Sequence, residues 1–285
     1  MNLFAIIDQI AKVDPEIYDR LDGRRSAFKY MAGFGKKASM AAVPMALSAI
    51  FTKAYGQSTS TPLQVLNYAL TLEYLERDFY KAVLDANAIP QLAAGTAARG
   101  AIQTIYEHEA AHVTLLKTVI ETPTSQGGLG GTPATPTFDL TGGNGSGSGP
   151  FAGATSDYAT FLAVAQALED TGVRAYKGQA ANLMGNATLL RAALQIHSVE
   201  ARHAAHIRYM RRNSGQAPEI KPWITGNNAN GVPVTAVYAG EENVTHAGVN
   251  LTTNTSGLSA DAASESFDEP LTMAAVLSIA DPFIV

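Results

Sequence analysis

The chain has 285 residues, a net charge of -5 and no cysteine. Without cysteine it cannot form disulfides, thiolate-bound zinc sites or iron–sulfur clusters, so any bound metal must use oxygen and imidazole ligands. The slightly acidic balance gives no reason to expect nucleic acid as a partner. Only 16% of the residues are charged, and 25 glycines with 13 prolines predict long irregular stretches beside one sizeable core.

Residues 1–56 have the features of an export signal. Arg24 and Arg25 precede a weakly apolar run, 38–51, that lies between lysines. This run has 14 residues and contains Pro44, so it is too short to span a bilayer and suits the hydrophobic region of a signal peptide. The paired arginines resemble a twin-arginine signal and predict a periplasmic or extracellular protein. The alternative is an interfacial N-terminal helix that stays on a cytoplasmic protein.

Four long helices are predicted between residues 61 and 215. Thr61 is a suitable N-cap and is followed by proline at the first helical position. Asn186 is a suitable cap for the last of the four helices. Apolar residues recur at helical spacing within each range. The predicted helices span about 61–87, 96–121, 156–184 and 186–212.

A long segment rich in Gly, Ser, Thr and Pro, residues 122–155, separates the second helix from the third. It is too long for an ordinary hairpin loop and suits a crossover or a lid. The layout of helix pair, long connection and helix pair predicts an all-α fold, a four-helix bundle with one long crossover. Residues 216–285 predict an irregular tail on the flank of the bundle, in which 232–238 could form an edge strand and 272–280 a short helix.

Two patterns of side chains each occur twice in the predicted helices, in the same order. One is a glutamate with a tyrosine seven residues later, and the other is Glu-x-x-His. In chain order the four copies are Glu73 with Tyr80, Glu109 with His112, Glu169 with Tyr176, and Glu200 with His203. Residues three apart lie on one helix face, so both side chains of Glu-x-x-His can reach one ion. Four carboxylates and two imidazoles are the ligand set of a di-iron or di-manganese centre in a helix bundle.

Each pattern also has a structural interpretation. A single Glu-x-x-His is usually a surface pair, but two copies beside two lone glutamates on apolar helix faces are harder to explain in that way. Four carboxylates buried together without cations would be strongly destabilising. Tyr80 and Tyr176 could orient a bridging carboxylate or pass an electron, or they could be core aromatic residues.

Other acidic and histidine residues lie close to these patterns. Glu76 is one turn from Glu73 and could be an extra ligand, but its charged neighbours Arg77 and Asp78 favour a solvent-exposed face. Glu107 and His108 are predicted at the surface, pointing away from the Glu109 side.

Two segments carry a family resemblance: Leu-Asn-Tyr-Ala-Leu-Thr-Leu-Glu-Tyr-Leu-Glu at 66–76 and Ala-Leu-Glu-Asp-Thr-Gly-Val-Arg-Ala-Tyr at 167–176. With the two Glu-x-x-His pairs, the chain from about Thr61 to Trp223 resembles the ferritin-like proteins of the desiccation-related type, found in bacteria and plants. In the wider ferritin-like superfamily, lone glutamates each bind one metal and the Glu-x-x-His glutamates bridge the two. The resemblance implies these roles here: Glu73 with His112 for one ion, Glu169 with His203 for the other, and Glu109 with Glu200 as the bridges.

The resemblance and the ligand set imply two Fe or two Mn ions and redox chemistry on Fe(II), dioxygen or peroxide, in oxidative or desiccation stress. The ligands alone do not choose between the metals. An alternative is a structural stress protein whose metals only stabilise the bundle, and another is that the crossover and tail mediate assembly or surface attachment. No transmembrane span is predicted. The chain could form a homo-oligomer, but the segments outside the bundle argue against a closed storage cage.

Overall fold

A computed structural model describes residues 60–254 and 257–285 of the chain. The predicted export signal within 1–56 lies outside these residues and stays a prediction. The described part is mainly helical, apart from a short hairpin of β1, Thr245–His246, and β2, Val249–Asn250. Among the described helices, none has both the length and the apolar character needed to cross a membrane.

Four long helices form the bundle. The first, α1, packs mainly against α2, and α3 packs mainly against α4; the two pairs meet through α1 with α3 and α2 with α4. This arrangement confirms the predicted all-α bundle of two helix pairs joined by a long connection. The helices are α1, Pro62–Ala86; α2, Ala97–Glu121; α3, Tyr158–Gln179; and α4, Ala187–Asn213.

The start of each long helix is fixed by a capping side chain. Thr61 and Gln64 form a capping box at α1: the Thr61 hydroxyl accepts a bond from the Gln64 N–H at 3.3 Å, and the Gln64 side chain accepts one from the Thr61 N–H at 2.8 Å. Each cap satisfies an amide that has no partner within its helix. The caps of the other three helices are Thr96, Asp157 and Asn186.

Helix α3 ends earlier than its sequence predicts. The α-helix stops at Gln179 and continues as a 3-10 turn, Ala180–Leu183. The tail crosses α3 at this end: the Leu271 N–H donates to the Arg174 carbonyl at 3.2 Å, and a side chain at Gly178 would collide with the Leu271 carbonyl. The periodicity of α3 carries no information about this contact with a segment almost a hundred residues away.

The crossover 122–155 is organised around Asp139. Its carboxylate accepts bonds from the backbone N–H groups of Thr141, Gly145 and Gly147 at 2.9 to 3.0 Å. Beside it, Phe138 forms an isolated antiparallel bridge with Ile284, so the C-terminal residues hold the crossover in place. The glycine-rich composition therefore encodes a specific hydrogen-bonded loop.

The tail packs on the flank of the bundle, as predicted. Val237 and Tyr238 are fully buried and pack with Ala167 of α3. The prediction of an edge strand at 232–238 was wrong, because Thr235–Tyr238 is a 3-10 turn. Two adjacent buried side chains do not fit the alternation of a half-buried strand, and the bundle offers no sheet edge to pair with. The short tail helices are α5, Leu251–Asn254; α6, Ala260–Ser264; and α7, Met273–Ala280, which confirms the predicted terminal helix.

A buried polar network ties the tail to the bundle. Asp170 of α3 pairs with Arg208 of α4, and both side chains are almost completely buried. The Tyr238 hydroxyl donates to the Asp170 carboxylate at 2.8 Å and accepts a bond from the Gln166 amide at 2.8 Å. Three segments distant in the sequence therefore meet at one carboxylate.

We expect Asp170→Ala to lower the free energy of unfolding by about 3–5 kcal/mol, because it leaves the Arg208 guanidinium buried without its partner. Urea unfolding of the full chain measures this effect. As a control, Lys81→Ala breaks the exposed pair with Asp85 and should leave the urea midpoint nearly unchanged. Equal midpoints for the two variants would contradict the prediction.

Candidate metal centre

The six predicted ligands meet in the middle of the bundle. All four glutamates have no exposed surface, and the two histidines are 9% and 5% exposed. Each of the four long helices contributes, because the ligand positions lie on its buried face. The contributions are Glu73 from α1, Glu109 and His112 from α2, Glu169 from α3, and Glu200 and His203 from α4.

The ligand atoms form two overlapping groups, within each of which they lie no more than 4.8 Å apart. Glu109 and Glu200 belong to both groups, which is the arrangement that two ions bridged by these carboxylates would need. One group is Glu73, Glu109, His112 and Glu200, and the other is Glu109, Glu169, Glu200 and His203.

Each histidine turns its Nδ1 atom toward carboxylate oxygens. His112 Nδ1 lies 3.1 Å from Glu73 Oε2 and 2.9 Å from Glu109 Oε2. His203 Nδ1 lies 2.8 Å from Glu109 Oε1 and 3.2 Å from Glu169 Oε2. Glu109 therefore lies between the two rings and contacts each through a different oxygen.

Several of these buried atoms have no hydrogen bond within the described part of the chain. They include His203 Nδ1 and Glu109 Oε1, although these two atoms are only 2.8 Å apart. A short separation without hydrogen-bond geometry is expected when both atoms point at a third position. Unpaired buried carboxylate oxygens are costly, and a cation at that position would satisfy them. The remaining unpaired ligand atoms are Glu169 Oε2 and both carboxylate oxygens of Glu200. The residues therefore fit a metal centre, and their donor set suits Fe or Mn.

In the metal-free protein, the ligands shift one another's pKa values. Burial raises the pKa of Glu73 to about 7. Burial would also raise the pKa of Glu109, but its contacts with His112 and His203 lower it to about 2. Burial opposes protonation of the two histidines, yet the surrounding carboxylates raise the pKa of each ring to about 10. Protons on the rings thus supply part of the positive charge that the carboxylates need.

The two tyrosines bind the lone glutamates across the bundle. The Tyr80 hydroxyl of α1 donates to Glu169 of α3, and the Tyr176 hydroxyl of α3 donates to Glu73 of α1. The tyrosines thus hold the lone glutamates, and the roles of orienting a bridging carboxylate or passing an electron stay predictions. Spacing within one helix placed them on the right face but did not show which helix lies opposite.

Glu76 is buried, with 3% of its surface exposed, so the prediction of a solvent-exposed face was wrong. Arg77 and Asp78 are at the surface and pair with each other, at 2.8 Å from Nε to Oδ1. The exposure of Arg77 and Asp78 therefore does not show which face of α1 carries Glu76. Glu76 lies on the same helix face as Glu73. Burial and the neighbouring carboxylates, Glu169 first among them, raise the pKa of Glu76 well above its usual range.

His108 is exposed, as predicted, but it contacts the centre. Its Nδ1 lies 2.9 Å from His203 Nε2, and the two rings stack with centroids 5.2 Å apart. His203 thus turns one ring nitrogen toward the carboxylates and the other toward His108. Metal-binding histidines commonly use the second nitrogen for such a contact, which fixes the ring orientation.

We expect the metal-free protein to lose stability as the pH rises from about 5 to about 10. The folded-state pKa values of Glu73, His112 and His203 are raised, so their contribution is complete below their unfolded pKa values and is lost as the pH passes through the folded values. Thermal unfolding in a chelator across this range measures the effect. The metal-loaded protein should not follow this trend, because cations replace the protons. A chelated protein whose stability rises with pH would contradict the prediction.

Comparison with known protein families supports the geometry. A family model described as the ferritin-like domain matches residues 61–213, which contain all four long helices and all six predicted ligands. The comparisons with curated proteins and with solved structures gave no match. The match covers more than half of the chain without singling out the desiccation-related type. The chain therefore belongs to the ferritin-like domain family.

Proposed function

We propose that this chain is a dinuclear Fe or Mn protein that performs redox chemistry on Fe(II), dioxygen or peroxide in oxidative or desiccation stress. One observation carries the proposal: ligand atoms of four carboxylates and two imidazoles converge in the core, and several of them have no hydrogen bond. Carboxylate oxygens stabilise the higher charge of an oxidised metal ion, and imidazole suits both metals.

Bound Fe or Mn ions would supply electron transfer to dioxygen or peroxide. The chain's own residues hold the ligands and restrict access. Tyr80 and Tyr176 fix the lone glutamates, and the apolar core on either side excludes bulk water. The glutamates have no exposed surface, whereas His112 is 9% exposed and His203 contacts the exposed His108. A reactant therefore meets the centre on its histidine side and has to be small.

The purified chain, reconstituted with Fe(II) or Mn(II), should retain about two ions per chain. The double variant Glu109→Ala/Glu200→Ala should retain none, because it removes the two carboxylates shared by both ligand groups. Elemental analysis after gel filtration measures the retained metal. Glu107→Ala is the matched control, since Glu107 lies on α2 but is exposed. Equal metal retention in the double variant and the wild type, or none in the wild type, would contradict the proposal.

A structural role is the second candidate function, and the complete burial of the glutamates favours it. Ions bound there would link all four helices and stabilise the bundle even if no reactant entered. Fe(II) oxidation and peroxide consumption by the loaded protein separate the two roles. We expect activity that is lost in Glu109→Ala/Glu200→Ala and kept in Glu107→Ala. A loaded protein that unfolds at a higher temperature but shows neither activity would favour the structural role.

A further inference from the structure

The two halves of the bundle pack differently beside their tyrosines. Positions of α1 correspond to positions of α3 that lie 96 residues later, so Tyr80 corresponds to Tyr176. Beside Tyr80, the rings of Phe79 and Phe161 stack with centroids 5.8 Å apart, and Phe161 lies edge-on to the Tyr80 ring with centroids 6.2 Å apart. All three rings are fully buried. Aromatic side chains therefore fill this half of the core.

The corresponding positions beside Tyr176 carry much smaller side chains. Under the same correspondence, Phe79 is replaced by Ala175 and Phe161 by Val65. Both small residues are buried, and both line a cavity that Tyr176 also lines. The cavity has about 30 Å³ of room for the centre of a water-sized sphere. The loss of two rings from the repeat thus leaves space in one half of the bundle.

The cavity lies between the exposed surface and one of the lone glutamates. Leu115 of α2 lines it and is 42% exposed. This leucine lies three positions after His112, on the same face of α2, so the cavity begins on the histidine side of the centre. Tyr176 lines the cavity from α3, and its hydroxyl donates to Glu73. The cavity therefore reaches the side chain that holds one predicted metal ligand.

The lining of the cavity favours an apolar molecule. It consists mainly of leucine, valine and alanine side chains. Of the two tyrosine hydroxyls in the lining, that of Tyr176 is bound to Glu73, and that of Tyr68 has no hydrogen bond within the described residues. A buried water needs roughly two to four polar partners, so one available hydroxyl holds it poorly. Peroxide and Fe(II) would lose their hydration here with little compensation, whereas dioxygen has none of this cost.

The size of the cavity restricts the molecule further. A single water needs roughly 10–15 Å³ of such space, so the 30 Å³ present here has room for a diatomic molecule but not for a larger organic compound. Small apolar cavities in protein cores stay dry and bind apolar gases. Dioxygen is the reactant of the proposed centre that has both the size and the polarity of such a gas.

We propose that this cavity is a binding site for dioxygen, from which the gas reaches the centre beside Glu73. The inference rests on the proposed function and deepens it, because it names dioxygen as the reactant for which the bundle has a separate apolar site. The exchange of two phenylalanines for Ala175 and Val65, at positions that line the cavity, is the observation behind it.

Methyl NMR of the metal-free full chain under dioxygen pressure tests the binding site, because dissolved dioxygen is paramagnetic and broadens the signals of nearby methyl groups. Leu66 and Leu162 are buried leucines at corresponding positions, and Leu66 lines the cavity whereas Leu162 does not. We expect the Leu66 methyl signals to be broadened more than those of Leu162. Equal broadening at the two leucines of the wild type would overturn the binding site without the need for any variant.

Two variants that narrow the cavity from different helices test its role in the reaction. Ala175→Val on α3 and Ala193→Val on α4 both add methyl groups to the lining. Each should abolish the extra broadening at Leu66. In the Fe(II)-loaded protein, each should raise the dioxygen concentration that gives half-maximal oxidation about tenfold, which is the order of discrimination that one or two methyl groups provide in an apolar site. The half-saturating concentration of peroxide should not rise.

Ala159→Val is the matched control, since Ala159 also lies on α3 but is exposed. It should leave both the broadening and the dioxygen dependence as in the wild type. Circular dichroism of all three variants checks that the bundle stays folded. An effect of Ala175→Val that Ala193→Val does not share would arise from the neighbouring Tyr176, and it would overturn the role of the cavity.

The outcomes separate this inference from the proposed function. A loaded wild type that oxidises no Fe(II) overturns the proposed redox function, and the supply of dioxygen to the centre falls with it. A loaded wild type that is active, with the same dioxygen dependence in Ala175→Val and Ala193→Val, overturns only the role of the cavity. Stronger broadening at Leu66 that both cavity variants abolish, together with their raised demand for dioxygen, is the result that we expect.

Discussion

The burial of several carboxylates in one helix bundle is the constraint on which the rest of this structure depends. Glu73, Glu109, Glu169 and Glu200 have no contact with solvent, and like charges at such short range repel strongly in a core of low polarity. The two imidazoles offset part of this charge when they are protonated. The carboxylate oxygens that still have no hydrogen bond show where the protonated rings do not balance the negative charge. A cation bound there would link metal binding directly to folding.

Ligand atoms must be held in place by the residues around them, and here the support comes from outside the helix that carries the ligand. Each tyrosine holds a glutamate on the opposite helix pair. Helix α3 is held in turn by the tail, where Arg174 pairs with Glu241 at 2.8 Å and donates to the Glu269 carbonyl at 2.7 Å. The irregular tail thus helps to fix the helix that carries Glu169.

Local sequence signals predicted the helices and the six residues that meet in the core, because a cap lies within three residues of its amide and Glu-x-x-His lies within one turn of its own helix. Contacts between helices were not predictable in this way. The partner of Tyr80, the contact of His108 with His203 and the early end of α3 all depend on which segment lies opposite. Glu76 was misjudged because its sequence neighbours lie at the surface, although neighbours in a helix point in different directions.

The two halves of the bundle match at the six predicted ligand positions but differ at neighbouring positions. Asp170 and Arg174 of α3, which bind the tail network and the tail, correspond to Tyr74 and Asp78 of α1, which are partly exposed. The tail binds Asp170 and Arg174 of α3 through buried polar contacts but packs near Leu72 and Leu75 of α1 through apolar side chains. The two halves of the centre therefore have different surroundings even though their six predicted ligands match. The repeat also differs beside Glu200, because α3 has Gly172 at the position that corresponds to Glu76 of α1. Two ions bound by the six predicted ligands would therefore lie in different surroundings, even though the ligand pattern is duplicated.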